Sequence, residues 1–365
     1  MASLKKLRNH IDRLDESLLK LLNERGRLVE SIGRLKQKNS QSVFVPSREK
    51  VLLQRLKRLN NGPLSSQAIQ DVFNEIVHAC RSLQKKLRIS YFGPEATFTH
   101  QAALKSFGPQ AEFVPAHTIG DVFAEVEKGR ADYGVVPIEN STEGVVNHTL
   151  DMFIESNLSI CAEQELPIWH YLLGRTVEYR KKGKNLAAGR QVRTLFSHYQ
   201  ALAQCRQWVE DHLPGVRVVE SSSTAAAAQT ASRTPRSVAI ASRLAAGLYG
   251  LDVLESRIED ATHNYTRFLV IGTSEPAPTG RDKTSIMFSV KDRVGALHDM
   301  LMPFKKAHLN MTKIESRPTR QRAWEYIFFV DFLGHRSDPR VQKAMSELER
   351  SCAFLKILGS YPRTE

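Results

Sequence analysis

From Leu4 to Leu35 the apolar positions fall at alternating intervals of three and four: Leu4, Leu7, Ile11, Leu14, Leu18, Leu21, then Arg25, then Leu28, Ile32 and Leu35. That spacing predicts one long helix with a coiled-coil-like seam. A helix of this length cannot bury its seam on itself, so it needs the two shorter helices that follow and a partner chain. Pro46 before SREKVLLQRLKRL predicts a second helix with proline in its first turn, ended by NNGP at 60–63. A third begins at about Ser66 and carries Ile69, Val72, Phe73, Ile76, Cys80, Leu83 and Leu87 on one side.

At Leu87 the period changes. RISYFGPEATF reads as a strand and a tight turn into a helix, and strands such as DYGVVPI, RTLFSH, VRVVES and SVAIAS then alternate with helical stretches as far as residue 272. Two batches of such units predict an α/β domain of two lobes enclosing a cleft, where small ligands commonly sit. Residues 273–283, TSEPAPTGRDK, read as a linker. From 284 to 365 the order strand, helix, strand, strand, helix, strand is the ferredoxin-like pattern. The expected organisation is therefore a helical domain over 1–87, an α/β domain over 88–272, the linker and a small α+β domain.

Composition narrows the setting. A chain of 365 residues exceeds what one core supports. Cys80, Cys161, Cys205 and Cys352 show no paired spacing, which speaks against a disulfide framework or a structural zinc site. The opening MASLKKLRNHIDRLDE is charged where a signal peptide is apolar, and no run approaches a membrane span. The expectation is a cytoplasmic protein. Residues 1–90 hold 19 Lys and Arg against 8 Asp and Glu, so an excess of eleven of the formal net charge of +13 lies in the first quarter. Such asymmetry suits a nucleic-acid arm, an anionic membrane surface or a site for acidic small molecules.

Arg25 sharpens that choice. A guanidinium at a seam position costs several kcal/mol, on the order of a buried unpaired charge, unless an anion or a buried carboxylate meets it. Lys36 lies at almost the same angle around the helix and about 16 Å along it, so the two side chains can converge on one ligand. Arg8 is about 25 Å from Arg25 along the same helix and points elsewhere; if it serves the same pocket, it comes from a second subunit.

At this point the residues resemble a known family. LRNHIDRLDESLLKLLNERGRLVESIGRLK, PSREKVL and a last helix ending in Gln84 are similar to the all-helical chorismate mutases, in the form fused to prephenate dehydratase. The resemblance implies that Arg25 and a partner chain's Arg8 clamp the carboxylates of chorismate, Lys36 and Gln84 donate to its ether oxygen, Glu49 takes the ring hydroxyl and Arg48 supports the site. The rearrangement to prephenate moves no proton, so donors and a fixed conformer suffice.

The second domain resembles prephenate dehydratase through GPEATF at 93–98, VVPIENSTEGVVNHTLD at 135–151, FSHYQALAQC at 196–205 and NYTRFLVIG at 264–272. Ala96 stands where glycine is usual. ENSTEG and ESSSTA are small-residue loops leading into helices, where free backbone N–H groups favour carboxylates. The resemblance points to Thr266 as the group that polarises the departing ring hydroxyl, with Arg267 beside it and Glu139, Asn140, Ser197 and Gln200 lining the cleft. His198, after a strand, reads as structural.

Residues 284–362 resemble an ACT regulatory domain. GALH, comprising Gly295, Ala296, Leu297 and His298, and ESRP, with Glu315, Ser316 and Arg317, look like the phenylalanine-binding motifs of that family. Gly295 is expected to allow close backbone approach at a helix start. The resemblance as a whole implies a multi-domain enzyme of phenylalanine biosynthesis: an all-α mutase, a two-lobed α/β dehydratase and a ferredoxin-like ACT domain. It implies chorismate, prephenate and inhibitory phenylalanine as ligands, no cofactor or metal, no nucleic acid or membrane, and a homodimer or higher oligomer built through the N-terminal helices and ACT domains. The competing reading is a phenylalanine-sensing protein with a nucleic-acid-binding helical module; only Phe44 and Phe73 supply aromatics before Tyr91, few for base stacking. A fused dehydrogenase would need a glycine-rich dinucleotide motif, which is missing.

Overall fold

The computed structural model describes residues 4–175, 192–261, 263–290, 293–318 and 326–364. The chain divides into two compact units, one of Met1–Leu87 with Phe107–Glu112, the other of Arg88–Ser106 with Phe113–Glu365. The segment Phe107–Glu112 thus packs with the helices, although a boundary drawn at Leu87 would exclude it.

The first unit holds α1 (Leu4–Lys38), α2 (Pro46–Leu59) and α3 (Ser66–Gln84). Pro46 opens α2, where its missing N–H costs nothing, and the Ser65 hydroxyl caps α3 by accepting from the Ala68 N–H. The packing of α3 on α1 differs from the expected one. Gly26 and Gly33 are the buried residues of α1. A Cβ at Gly33 would lie 3.0 Å from Gln84 Cγ, so α3 takes the glycine face, where the helices can approach closely. Half-buried Arg25, Val29 and Lys36 complete that stripe. The leucine seam stays open: its nine apolar residues from Leu4 to Leu35 are 46% to 64% exposed.

In the second unit, β1 (Arg88–Phe92), β2 (Glu112–Ala116), β3 (Tyr133–Asn140), β5 (Ser159–Pro167) and β11 (Tyr265–Gly272) form a sheet in the order β2-β1-β3-β11-β5, with β4 (Gly144–Val145) attached to β3. It is flanked by α4 (Phe98–Phe107), α5 (Ile119–Glu127) and α6 (Asn147–Glu155). A second lobe has β6 (Tyr171–Gly174), β7 (Thr194–Ser197), β8 (Arg217–Glu220), β9 (Ser237–Ala241) and β10 (Asp252–Ser256) in the order β10-β6-β9-β7-β8. Its helices are α7 (Tyr199–Gln204), α8 (Arg206–His212), α9 (Thr224–Arg233) and α10 (Arg243–Tyr249). The chain leaves the first lobe after β5 and returns to it with β11, so the lobes are joined twice. Ala96 adopts φ 63°, the left-handed region that suits the glycine it replaces, and its carbonyl accepts from Ser242 of the second lobe at 2.8 Å.

The last domain has β12 (Asp282–Ser289), α11 (Ala296–Lys306), β13 (Met311–Pro318), β14 (Tyr326–Leu333), α12 (Pro339–Ser351) and β15 (Phe354–Pro362), with the sheet order β13-β14-β12-β15. This is the expected ferredoxin-like architecture; Trp324 and Glu325 of the expected third strand lie outside the described residues. β12 starts inside the expected linker because the buried Asp282 carboxylate accepts from the Thr279 and Gly280 N–H groups. One apolar core runs from the first lobe into this sheet, through Phe153, Ile160 and Leu269 to Met287, Phe329 and Tyr361. The backbones approach so closely that a Cβ at Gly359 of β15 would sit 2.3 Å from the Ile160 carbonyl oxygen of β5. Among the described residues no helix is long and apolar enough to cross a membrane.

Candidate active sites

In the helical unit, α1 brings Arg25 and Lys36, α2 brings Glu49 and α3 brings Gln84 to the stripe between α1 and α3. Arg25 Nη1 and Gln84 Oε1 are buried and have no hydrogen-bond partner within the chain. Lys36 Nζ reaches the Val43 carbonyl only at 3.4 Å. Burial pushes the Lys36 ammonium down, with Glu49 opposing and Arg81 assisting. Buried polar groups in folded proteins are normally paired. An unpartnered guanidinium nitrogen and a loosely held ammonium on α1, with an unpartnered amide on α3, mark a polar pocket suited to an anionic ligand that carries further hydrogen-bonding oxygens. Arg8 and Arg48 are exposed, and Arg8 stands about 25 Å along α1 from Arg25, too far for both to meet one ligand within a single chain.

The charge that sequence reading missed here is Arg81. It is 4% exposed, and its Nη2 donates to both Glu49 oxygens at 2.7 and 2.8 Å. Burial pushes the Glu49 carboxyl up, and Arg81, then Lys36, pull it back. Nothing in the local sequence flags Arg81, because its partner is 32 residues away.

The α/β unit holds a cleft of about 1120 Å³ between its lobes. Thr266, Asn140 and Gln200 line it, as expected; so do His198, the Glu95 turn, Ser222 to Thr224 and the Glu143 loop. Helix starts converge on it: Thr118 caps α5 and Ser223 caps α9, and the N-termini of α6 and α7 face the same space. Free N–H groups at such ends favour carboxylates. Three expected lining residues are elsewhere. β11 pairs with β3 so that Thr266 opposes Asn140 and Arg267 opposes Glu139. Side chains alternate across a strand, so if Thr266 and Asn140 face the cleft, Arg267 and Glu139 face away from it. Ser197 is fully buried and donates to the Ile240 carbonyl, holding β7 to β9.

The polar floor of the cleft is a connected network. Asn140 Oδ1 accepts from the Thr142 N–H at 2.9 Å, the Thr142 hydroxyl at 2.6 Å and the Glu143 N–H at 3.0 Å. Those three donors fix the amide, so Asn140 Nδ2 must point the other way, donating to Thr266 Oγ1 at 2.7 Å and to Asn264 Oδ1 at 3.0 Å. Asn264 in turn donates to Gln204 Oε1 at 2.8 Å, and His170 Nε2 meets the same oxygen at 2.8 Å. Burial pushes the His170 imidazole down, so at neutral pH it carries one proton, on Nε2. Asn264, Gln204 and His170 escaped sequence reading because their roles arise from contacts across 60 and 34 residues. The chemical result is directional. Thr266 Oγ1 accepts from Asn140, so its own proton is free to be donated into the cleft.

Arg267 serves the opposite face. It pairs with Glu163 at 2.8 Å and Asp331 at 2.6 Å, and Nη2 donates to the Tyr361 hydroxyl at 2.9 Å. Lys283 also reaches Glu163, at 2.7 Å, and Lys313 reaches Glu139 at 2.7 Å. Asp331, Tyr361, Lys283 and Lys313 belong to the ferredoxin-like sheet, so this buried cluster ties it to the strands whose other faces form the cleft. Arg317 of the ESRP motif pairs with Asp151 of α6 at 3.1 Å. Gly295 caps α11 at φ 78°, and a Cβ there would meet nothing within 4 Å. The left-handed backbone favours glycine at this position.

Comparison with known proteins gives three matched family descriptions: chorismate mutase type II over residues 7–85, prephenate dehydratase over 89–276 and ACT domain over 284–350. A bifunctional chorismate mutase/prephenate dehydratase of Aquifex aeolicus is 48% identical, covering 100% of this chain and 99% of the relative. One from Pseudomonas aeruginosa is 44% identical over 99% of this chain and 98% of the relative. Among solved structures, the prephenate dehydratase of Arthrobacter aurescens in complex with L-Phe is similar at a TM-score of 0.68 and 35% identity, covering 76% of this chain and 90% of that one.

Proposed function

The chain belongs to the bifunctional chorismate mutase/prephenate dehydratases, and we propose that it carries both reactions on the two sites just described, under feedback inhibition by phenylalanine. The helical unit rearranges chorismate to prephenate; the α/β cleft converts prephenate to phenylpyruvate.

For the first reaction the pocket needs no acid or base. Arg25 holds a carboxylate, while Lys36 and Gln84 donate to the ether oxygen as negative charge grows there. Gln84 is neutral and offers its amide N–H at any pH. Glu49 takes the ring hydroxyl, and Arg48 supports the site from the surface of α2. Arg8, exposed on its own chain, reaches the second carboxylate from a partner. The open seam of α1 supports that arrangement: a row of exposed leucines this long is covered when two copies pair.

For the second reaction the bond between the ring and its carboxylate breaks, carbon dioxide leaves, and the released electron pair aromatises the ring as the hydroxyl departs as hydroxide, polarised by the Thr266 hydroxyl, and takes a proton from solvent to become water. Thr266 donates to that hydroxyl, and Asn140 holds Thr266 in the donating orientation. Helix starts around the cleft take the two carboxylates. Phenylalanine binds at the GALH and ESRP motifs between paired ACT domains, and the Arg267 cluster carries its effect to β11. Coupling of this kind requires that phenylalanine bind one of two states more tightly.

The single observation that carries this reading is the Asn140 to Thr266 bond on the cleft floor, in a chain whose full length matches bifunctional relatives. The test supplies chorismate to the purified protein and follows prephenate, then phenylpyruvate, with and without phenylalanine. Prephenate that accumulates without phenylpyruvate would refute the dehydratase assignment. Salt-dependent nucleic-acid binding without chorismate turnover would favour the competing reading.

A further inference from the structure

Arg81 and its surroundings form an assembly that the mutase chemistry above does not use. The guanidinium carbon lies over two rings, 4.8 Å from the Phe44 centroid and 5.7 Å from that of Phe107. The rings themselves are 4.7 Å apart. Phe107 is the last residue of α4, yet with Gly108 it belongs to the helical unit. Gly108 has φ 76°, and a Cβ there would lie 2.5 Å from His78 Cβ, so the segment is seated tightly on α3. Both aromatic faces hold the guanidinium in one orientation, with Nη2 on the two Glu49 oxygens. The charge of Lys36 also acts on Glu49, so the carboxylate being held belongs to the pocket.

We propose that Arg81 is a positioning residue for the mutase reaction: packed against the touching rings of Phe44 and Phe107, it holds the Glu49 carboxylate for the substrate's ring hydroxyl. Phe107 lies in the dehydratase sequence, so the mutase pocket is completed by a residue from beyond its own three helices. The inference rests on the role given to Glu49. A lone carboxylate buried there takes up a proton readily, and a protonated Glu49 presents a donor where an acceptor is needed. The charged groups facing Glu49 are Arg81 from α3 and Lys36 from α1, with His78 behind Arg81. Without Arg81 only Lys36 opposes protonation.

The experiment measures mutase kcat/KM against pH for the full-length chain and its Arg81→Met, Arg81→Lys, Phe107→Leu and Glu49→Gln variants. Dehydratase turnover of prephenate by the same samples reports the integrity of the rest of the chain. Arg81→Met is expected to move the acid limb of mutase kcat/KM up by about one pH unit, which is about a tenfold loss on the limb itself and a smaller one at neutral pH. Arg81→Lys should fall between, and Phe107→Leu should shift the limb slightly in the same direction. Glu49→Gln should remove the limb. A uniform loss in Arg81→Met with the limb unmoved would mean a purely structural arginine and would overturn the proposal alone. Unchanged rate and limb in Glu49→Gln would overturn the Glu49 role and the proposal with it. Should Arg81→Met leave the helical unit unfolded by circular dichroism, the limb positions of Arg81→Lys and Phe107→Leu decide the question.

Discussion

The helical pocket and the α/β cleft both receive a cyclic dicarboxylate, but their polar groups are arranged in opposite ways. In the helical unit Arg25 Nη1 and Gln84 Oε1 are buried without partners in the chain, and Arg8 is exposed. On the cleft floor, Thr266, Asn140, Asn264, Gln204 and His170 are joined by hydrogen bonds of 2.7 to 3.0 Å. The chemistry explains the contrast. A pericyclic rearrangement needs polar groups that can turn to the ligand, so atoms left unpaired within the chain are useful there. Departure of a hydroxyl needs one proton held in one direction, so the neighbours of Thr266 are fully committed to aiming it. A pocket left incomplete in one chain is also what a site shared between two chains looks like.

Five changes would break or sharpen this contrast. The largest effect belongs to Thr266→Ala, which should lower dehydratase kcat by about 10² to 10⁴ while mutase turnover stays; an unchanged dehydratase rate would exclude Thr266 as the donor. Next, Arg25→Ala should cost the mutase about 10² to 10³. Mixing and reassociating inactive Arg8→Ala and Arg25→Ala chains should restore about a quarter of the mutase activity, because half of the dimers are hybrids with one intact site; no recovery would mean each pocket is built within one chain. Gly359→Ala should weaken phenylalanine inhibition severalfold and lower thermal stability, because its Cβ would meet the Ile160 backbone at 2.3 Å; calorimetry and an inhibition curve read both. Smallest is Ala96→Gly, which relieves a left-handed alanine but removes a buried methyl, each worth about 1 kcal/mol, so chemical denaturation should show a net change below that.

Much of this was legible in the chain. The spacing of three and four from Leu4 to Leu35 described α1, and Arg25 announced the helical pocket because a charge in an apolar pattern requires a partner. The pattern did not reveal which face α3 would take, since that depended on Gly26 and Gly33, whose lack of a side chain is not an apolar signal. In the α/β unit the motifs located the cleft, yet Glu139, Ser197 and Arg267 were assigned to it wrongly. Each lies beside a residue that does face the cleft, and a period of two sends neighbours to opposite sides once the pairing of β11 with β3 is known. Arg81, Asn264, Gln204 and His170 were missed for the converse reason. Their significance comes from partners brought near by folding.

The position of β11 has a consequence for how the chain is made. Its neighbours β3 and β5 both precede the second lobe in sequence, while β11 follows it, at residues 265–272. As a nascent chain emerges, the second lobe's strands are complete by Ser256, whereas the first lobe's sheet still lacks the strand that joins β3 to β5. Domains tend to fold as units when their last segment appears. The later lobe can therefore close before the earlier one, and the strand carrying Thr266 is inserted as the final step in making the dehydratase cleft.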